Sequence, residues 1–218
     1  MAPYDNEHLL ADSNARAALA EIVDVCRSFA VSIPETEPAQ ARALKEVIER
    51  TGSLVQTGRL RLCDTLPKDE PVIRLYKAQT GVGRLKLQLF PLQNGDSHPP
   101  HAHYNLVSCQ IVLQGEARIR EYSLLSRSAA NELEIRAEPE QRLQPGDGVY
   151  TLLERNNIHW QEGLCEDTVL LNINWQGYFD ADPMLAHGAI NGRRYIDWDR
   201  ARAGSEPGCL IVPKVNGA

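Results

Sequence analysis

The chain has 218 residues, 43% hydrophobic and 24% charged, with a net charge of −6. That is an ordinary globular composition, long enough to bury a sizeable core as one large β domain or two small ones. The mixed, mildly acidic charge provides no field that would draw the chain to nucleic acid or an anionic membrane, so neither is expected as a partner.

No apolar run approaches the roughly 18 residues needed to span a bilayer. The first residues, Met1 to His8, show neither a basic nor an apolar leader segment. The cysteines Cys26, Cys63, Cys109, Cys165 and Cys209 are scattered, with no C-x-x-C pair. Reduced thiols in a cytoplasmic protein are therefore expected, rather than a disulfide framework or a zinc finger.

In chain order, the first third reads helical. Over 14–30, Ile22, Val25, Cys26 and Phe29 recur at three- and four-residue spacing. A second helix is predicted over 38–51, with Pro38 in its first turn, Leu44, Val47 and Ile48 on one face and Gly52 as its stop. These helices, within an extension over 1–55, are expected to cap a barrel end or to build a dimer interface, so the chain is a monomer or a homodimer. From about residue 70 the period changes to two. Strands are predicted at Val72 to Tyr76, Arg84 to Phe90, Ser108 to Leu113, Glu116 to Tyr122, Val149 to Leu153 and Thr168 to Trp175. Turns at Asn94-Gly95-Asp96, Gln114-Gly115-Glu116 and Pro145-Gly146-Asp147-Gly148 separate them. The polar stretch Ser126 to Arg142 reads as a loop or edge hairpin, and the last 40 or so residues as a segment folding back over the barrel. Short strands at this spacing predict a mainly β barrel or sandwich over about 70–200, within a single domain over 1–218.

Histidines cluster in His98-Pro99-Pro100-His101-Ala102-His103. Alternate residues of an extended chain share a face, so His101 and His103 can offer two imidazoles to one metal ion. The prolines oppose a helix there. His159, in Asn156-Asn157-Ile158-His159-Trp160, follows a turn and a strand and is the candidate third ligand. The alternative is that His101 and His103 are loop residues and His159 a core histidine. His98 differs from the pair in odd-even phase and ranks below it; His187 reads as a surface loop residue, and His8 is given no part in the site.

This arrangement resembles the cupin superfamily, whose first motif has the form G-x5-H-x-H-x(3,4)-E-x6-G. Gly95, His101, His103 and Gly115 match it, and Ser108 stands where the glutamate would. Pro145-Gly146-Asp147 and His159 represent the second motif, with Glu154 at its usual inner proline. The resemblance implies a double-stranded β-helix barrel. Without the glutamate, the site is similar to that of the three-histidine thiol dioxygenases of the aminethiol dioxygenase and plant cysteine oxidase type. The run Gly115 to Tyr122 and Asn157-Ile158-His159 carry that likeness, and Tyr195-Ile196-Asp197 is loosely compatible with their C-terminal parts.

The resemblance implies an Fe(II) enzyme that uses O2 to oxidise a small thiol or an N-terminal cysteine to a sulfinate. Zn, Ni or Mn remain open as the metal. Another cupin enzyme (a ring-cleaving dioxygenase, an isomerase or a lyase) or a non-catalytic binding module remains open as the function. Asn157 and Gln110 are candidates for orienting the imidazoles. Tyr104, Tyr122, Tyr150 and Trp160 are candidate pocket residues. Arg118 and Arg120 can bind a substrate carboxylate, or form an ordinary solvent face because they alternate with Ala117 and Ile119. Trp160 and Trp175 also read as core, and Cys109 as buried packing. Glu116 or Glu154 could still bring a carboxylate to the metal.

Overall fold

The computed structural model describes residues 4–31, 36–64, 66–67, 70–80, 83–103, 105–129, 132–153, 155–177 and 193–215. Both predicted helices are present, as α1 (Ser13–Val31) and α2 (Glu37–Gln56). Each buries an apolar stripe: Ile22, Val23, Cys26 and Phe29 on α1, and Leu44, Val47 and Leu54 on α2. The sequence predicts a stop at Gly52; α2 instead passes through it to Gln56. The glycine serves close packing. A Cβ there would strike the carbonyl oxygen of Gly146, so helix and turn meet backbone to backbone.

The strands are β1 (Ile73–Thr80), β2 (Gly83–Leu92), β3 (Ser97–His103), β4 (Leu106–Gln114), β5 (Ala117–Ala129), β6 (Glu132–Ala137), β7 (Gln141–Leu143), β8 (Gly148–Thr151), β9 (Ile158–Gly163), β10 (Thr168–Gln176), β11 (Arg193–Tyr195), β12 (Arg202–Ala203) and β13 (Cys209–Pro213). One sheet has the order β1-β2-β10-β4-β8. The other has the order β11-β3-β9-β5-β6-β13-β12, with β7 also paired to β5. The ladders are antiparallel. Set aside β6 and the terminal strands, and successive strands alternate between β2-β10-β4-β8 and β3-β9-β5-β7, except at β5 and β7, which are adjacent in the second set. That wrap is the double-stranded β-helix of the cupin fold. The stretch Ser126 to Arg142 is a hairpin rather than a loop. It does not lie at an edge, because β13 pairs with β6 on its far side.

The first sheet is apolar on both faces over part of its length. Leu85, Leu87, Leu89, Val107, Cys109, Ile111, Leu171, Ile173 and Trp175 point outward and are covered by α1 and α2. The helices thus cover a sheet face and not a barrel end. Trp175 is core: its indole donates to the Cys26 carbonyl at 3.0 Å, and its ring meets Phe29 edge-on at 4.8 Å. Cys109 is buried packing in the same layer, and burial pushes its thiol well up. Inside the barrel, Phe90, Leu92, Val112 and Leu170 meet Ala117, Ile119 and Leu143 of the opposite sheet and fill one end. Gly115 closes that end with φ at +72°, and a Cβ there would collide with the Thr168 backbone. The C-terminal segment folds back as expected. It adds β11 to β3 and β13 to β6, and Ile196 and Val212 cover the outer face around Tyr122 and Ile158.

Candidate metal centre

β3 carries two prolines and still pairs with β9. His98 stands opposite Gln161 and His101 opposite His159, with a bulge between them. The bulge absorbs the odd spacing. His98 therefore turns inward too, against the expected phase, and its ring lies 5.5 Å from Phe90 and 5.0 Å from His101.

His101 and His103 come from β3 and His159 from β9, and all three are at most 3% exposed. Their nearest ring nitrogens lie within 4.8 Å of one another, and the Nε2 atoms of His103 and His159 are 3.2 Å apart. Two nitrogens each bound to one metal at about 2.0–2.1 Å stand about 2.9–3.4 Å apart. Two imidazole lone pairs at such a separation repel unless a cation or proton sits with them. The group therefore fits a divalent ion in both spacing and donor chemistry.

The ring orientations agree. The Pro99 carbonyl accepts a hydrogen bond from His101 Nδ1 at 2.9 Å, so that nitrogen carries the hydrogen and Nε2 is the ligand atom. His159 Nδ1 lies 3.3 Å from the Thr151 hydroxyl on β8, leaving its Nε2 facing His103. Asn157 acts on the backbone. Its Oδ1 accepts from the His103 N–H at 3.1 Å, and its Nδ2 donates to the His103 and Leu153 carbonyls at 3.2 and 2.6 Å. This fixes where β3 presents His103. Asn157→Leu is expected to lower metal affinity about 10- to 100-fold and to cost about 2 kcal/mol of stability. Metal titration and denaturant unfolding measure the two effects.

Other expected site residues lie elsewhere. On β5, Glu121 pairs with His159 and Tyr122 with Ile158, so alternation sends Tyr122 outward. Its ring packs 5.0 Å from Trp198. Arg118 and Arg120 also face outward. Arg118 pairs with Glu162 at 3.3 Å, and Arg120 pairs with Glu140 at 2.7 Å and covers Trp160. These arginines form an ion-pair layer on the barrel wall and do not face the histidines. Tyr150 faces a cleft beside Ile48 of α2. Glu116 pairs with Arg142 and is not in the histidine group. Tyr104, Glu154 and His187 lie outside the described residues.

Two features were missed in the sequence. Glu121 is only 1% exposed inside the barrel, across from His159. Burial pushes its carboxyl up to about 8, with Glu138 adding to the rise and the Gln141 hydrogen bond and Arg155 opposing it. The second feature is the inner face of the first sheet beyond its apolar end. One cross-strand row there is Gln88-Asn172-Gln110, and the next is Lys86-Asn174-Ser108-Thr151. Ser108 thus faces inward, in the row that reaches His159 through Thr151. For the wall the signal was a polar residue at alternate positions of β4 and β10, whose other face is apolar; β5 carried no such signal for Glu121, because its other face holds Arg118 and Arg120.

Fold and site together define a class: a double-stranded β-helix barrel with three buried imidazoles that can hold one metal ion. No family model matches the chain, and no curated protein matches it. Among solved structures it is similar to KdgF from Halomonas sp., at 18% identity over 54% of this chain and 89% of that one, with a TM-score of 0.35. It is similar to a cupin superfamily protein from Desulfitobacterium hafniense, at 20% identity over 50% of this chain and 80% of that one, with a TM-score of 0.33. A recombinant oxalate oxidase in complex with glycolate matches at 16% identity over 53% of this chain and 54% of that one, with a TM-score of 0.35. The fold assignment stands on the strand order itself. No helix among the described residues is long and apolar enough to cross a membrane.

Proposed function

We propose that the protein is a non-haem Fe(II) dioxygenase that oxidises a small thiol, or an N-terminal cysteine, to a sulfinate. One observation carries this reading: the group at ligand distance is three buried imidazoles with no carboxylate in it among the described residues. Neutral ligands contribute no negative charge, so such a site suits an anionic reactant, and a thiolate is one. Bound there, Fe(II) would supply the redox chemistry that couples a thiolate to dioxygen. In the net reaction one thiol and one O2 give one sulfinic acid, with both oxygen atoms retained. The chain's own part is positional. Pro99 and Thr151 fix the rings of His101 and His159, Asn157 fixes the backbone of His103, and the apolar plug around Phe90 and Leu170 closes one end against water.

Cys26, Cys109, Cys165 and Cys209 are free thiols, which fits a reducing compartment, the cytoplasm. The partners in this reading are a small molecule and O2, with no nucleic acid and no membrane.

Anaerobically loaded Fe(II) protein is expected to consume O2 when a thiol is added, with one sulfinate formed per O2 in an oxygen-electrode and mass-spectrometric assay. No uptake across a panel of thiols would reject thiol oxidation. Glu121 favours a second reading, since a buried carboxyl beside the histidines can move a proton as an isomerase or lyase requires. Turnover of a non-thiol substrate with Zn, Ni or Mn would select it.

A further inference from the structure

The inner wall opposite the histidines is unusual in its hydrogen bonding. Gln110, Asn172 and Asn174 are 0%, 2% and 3% exposed. Gln110 donates its amide hydrogens to Ser108 at 2.7 Å, and Asn174 donates to Gln88 at 3.4 Å. The amide nitrogens of Gln110 and Asn174 are thereby engaged within the wall. Gln110 Oε1, Asn172 Oδ1 and Asn174 Oδ1 are buried and meet no donor among the described residues. Buried polar atoms in folded proteins are satisfied by some group. Here the unmet amide atoms are mostly acceptors: three carbonyl oxygens against one nitrogen, Gln161 Nε2. Lys86 lies in the Asn174 row but reaches Gln176 at 3.2 Å, one row away from the amides. A group that fits this wall brings N–H or O–H donors. A carboxylate would set oxygen against oxygen.

We propose that Gln110, Asn172 and Asn174 are specificity-determining residues. Their carbonyl oxygens bind the non-reacting end of the substrate through an ammonium, amide or hydroxyl donor and reject an anionic end. The proposal rests on the metal-centre reading above only for where the reacting sulfur binds.

The test uses the full chain loaded with Co(II), because a thiolate on Co(II) gives a charge-transfer absorption without turnover. Four thiols of similar size are titrated anaerobically: ethanethiol, 2-mercaptoethanol, cysteamine and 3-mercaptopropionate. Cysteamine and 2-mercaptoethanol are expected to bind about tenfold tighter than ethanethiol, and 3-mercaptopropionate no tighter than ethanethiol. Asn172→Leu, of nearly the same shape, should erase that preference while ethanethiol stays within about twofold of its wild-type affinity. Asn172→Asp keeps the acceptor and serves if the leucine variant does not fold. It should tighten cysteamine and weaken 3-mercaptopropionate. Equal binding of cysteamine and 3-mercaptopropionate would overturn the proposal, as would an equal loss of ethanethiol and cysteamine in Asn172→Leu. A missing band with every thiol would instead overturn the thiol reading. The wall is then read from the thermal midpoint of metal-free protein with ethanolamine against propionate. A larger shift with ethanolamine supports it, and an equal shift or none rejects it.

Discussion

His103→Ala is expected to remove the metal. Wild type and variant, purified side by side and read by elemental mass spectrometry, should differ between about one ion per chain and a small fraction of one. The variant deletes an imidazole whose Nε2 lies 3.2 Å from that of His159, leaving two of the three ligands, His101 and His159. Loss of a group that merely orients a ligand costs about 10- to 100-fold in affinity, and loss of the ligand itself should exceed that. A thermodynamic readout goes with it. A metal that binds only the folded chain raises the unfolding midpoint by mass action, so chelation should lower the midpoint of wild type and leave His103→Ala unchanged. Equal metal in both proteins would show that the ion sits elsewhere and that the three histidines are packing residues.

The second large effect concerns Glu121 and pH. Burial holds its folded-state carboxyl near 8, against 4.5 for the free side chain. The folded chain therefore keeps a proton that the unfolded chain releases across roughly pH 4.5 to 8. In that window the unfolded state binds fewer protons, so stability falls as pH rises. Each pH unit is worth at most about 1.4 kcal/mol. Glu121→Gln keeps the shape and can still accept from Gln141, whose Nε2 lies 3.1 Å from Glu121 Oε2, but it cannot ionise. In chelator-treated protein, wild type and variant should unfold at similar urea midpoints near pH 5. Near pH 8 the variant should be more stable by about 3 kcal/mol. Parallel stability curves over that range would mean that Glu121 is solvated or ion-paired in solution. A cation at the histidines would favour the ionised carboxylate across the barrel, so adding metal to wild type should flatten its pH dependence.

Much of the framework is legible in the sequence because it rests on local periodicity. The stripe of Ile22, Cys26 and Phe29 predicts α1, and the alternation of Leu85, Leu87 and Leu89 predicts β2. The pairing of His101 with His103 follows from strand geometry alone, since residues two apart share a face whatever lies around them. The third ligand is legible only as a candidate, because His159 reaches the pair through a ladder between segments some 56 residues apart.

Which face is the inside is decided only by the tertiary structure. Period two divides β5 into Arg118, Arg120 and Tyr122 on one face and Ala117, Ile119 and Glu121 on the other, but it does not say which set meets the histidines. Hydrophobicity misleads here. The outer face is apolar at Tyr122 because Trp198 and Ile196 cover it, and the inner face turns polar beyond Ile119. The pairing of Glu121 with His159 settles the question, and that pairing is a long-range register. His98 follows the same logic, since its phase is set by a bulge that exists only against β9. The sequence determined the elements and the ligand types, because those depend on neighbours along the chain. Register, bulges and the covering of outer faces depend on neighbours in space, and they placed Glu121 and the amide wall at the centre and the two arginines outside.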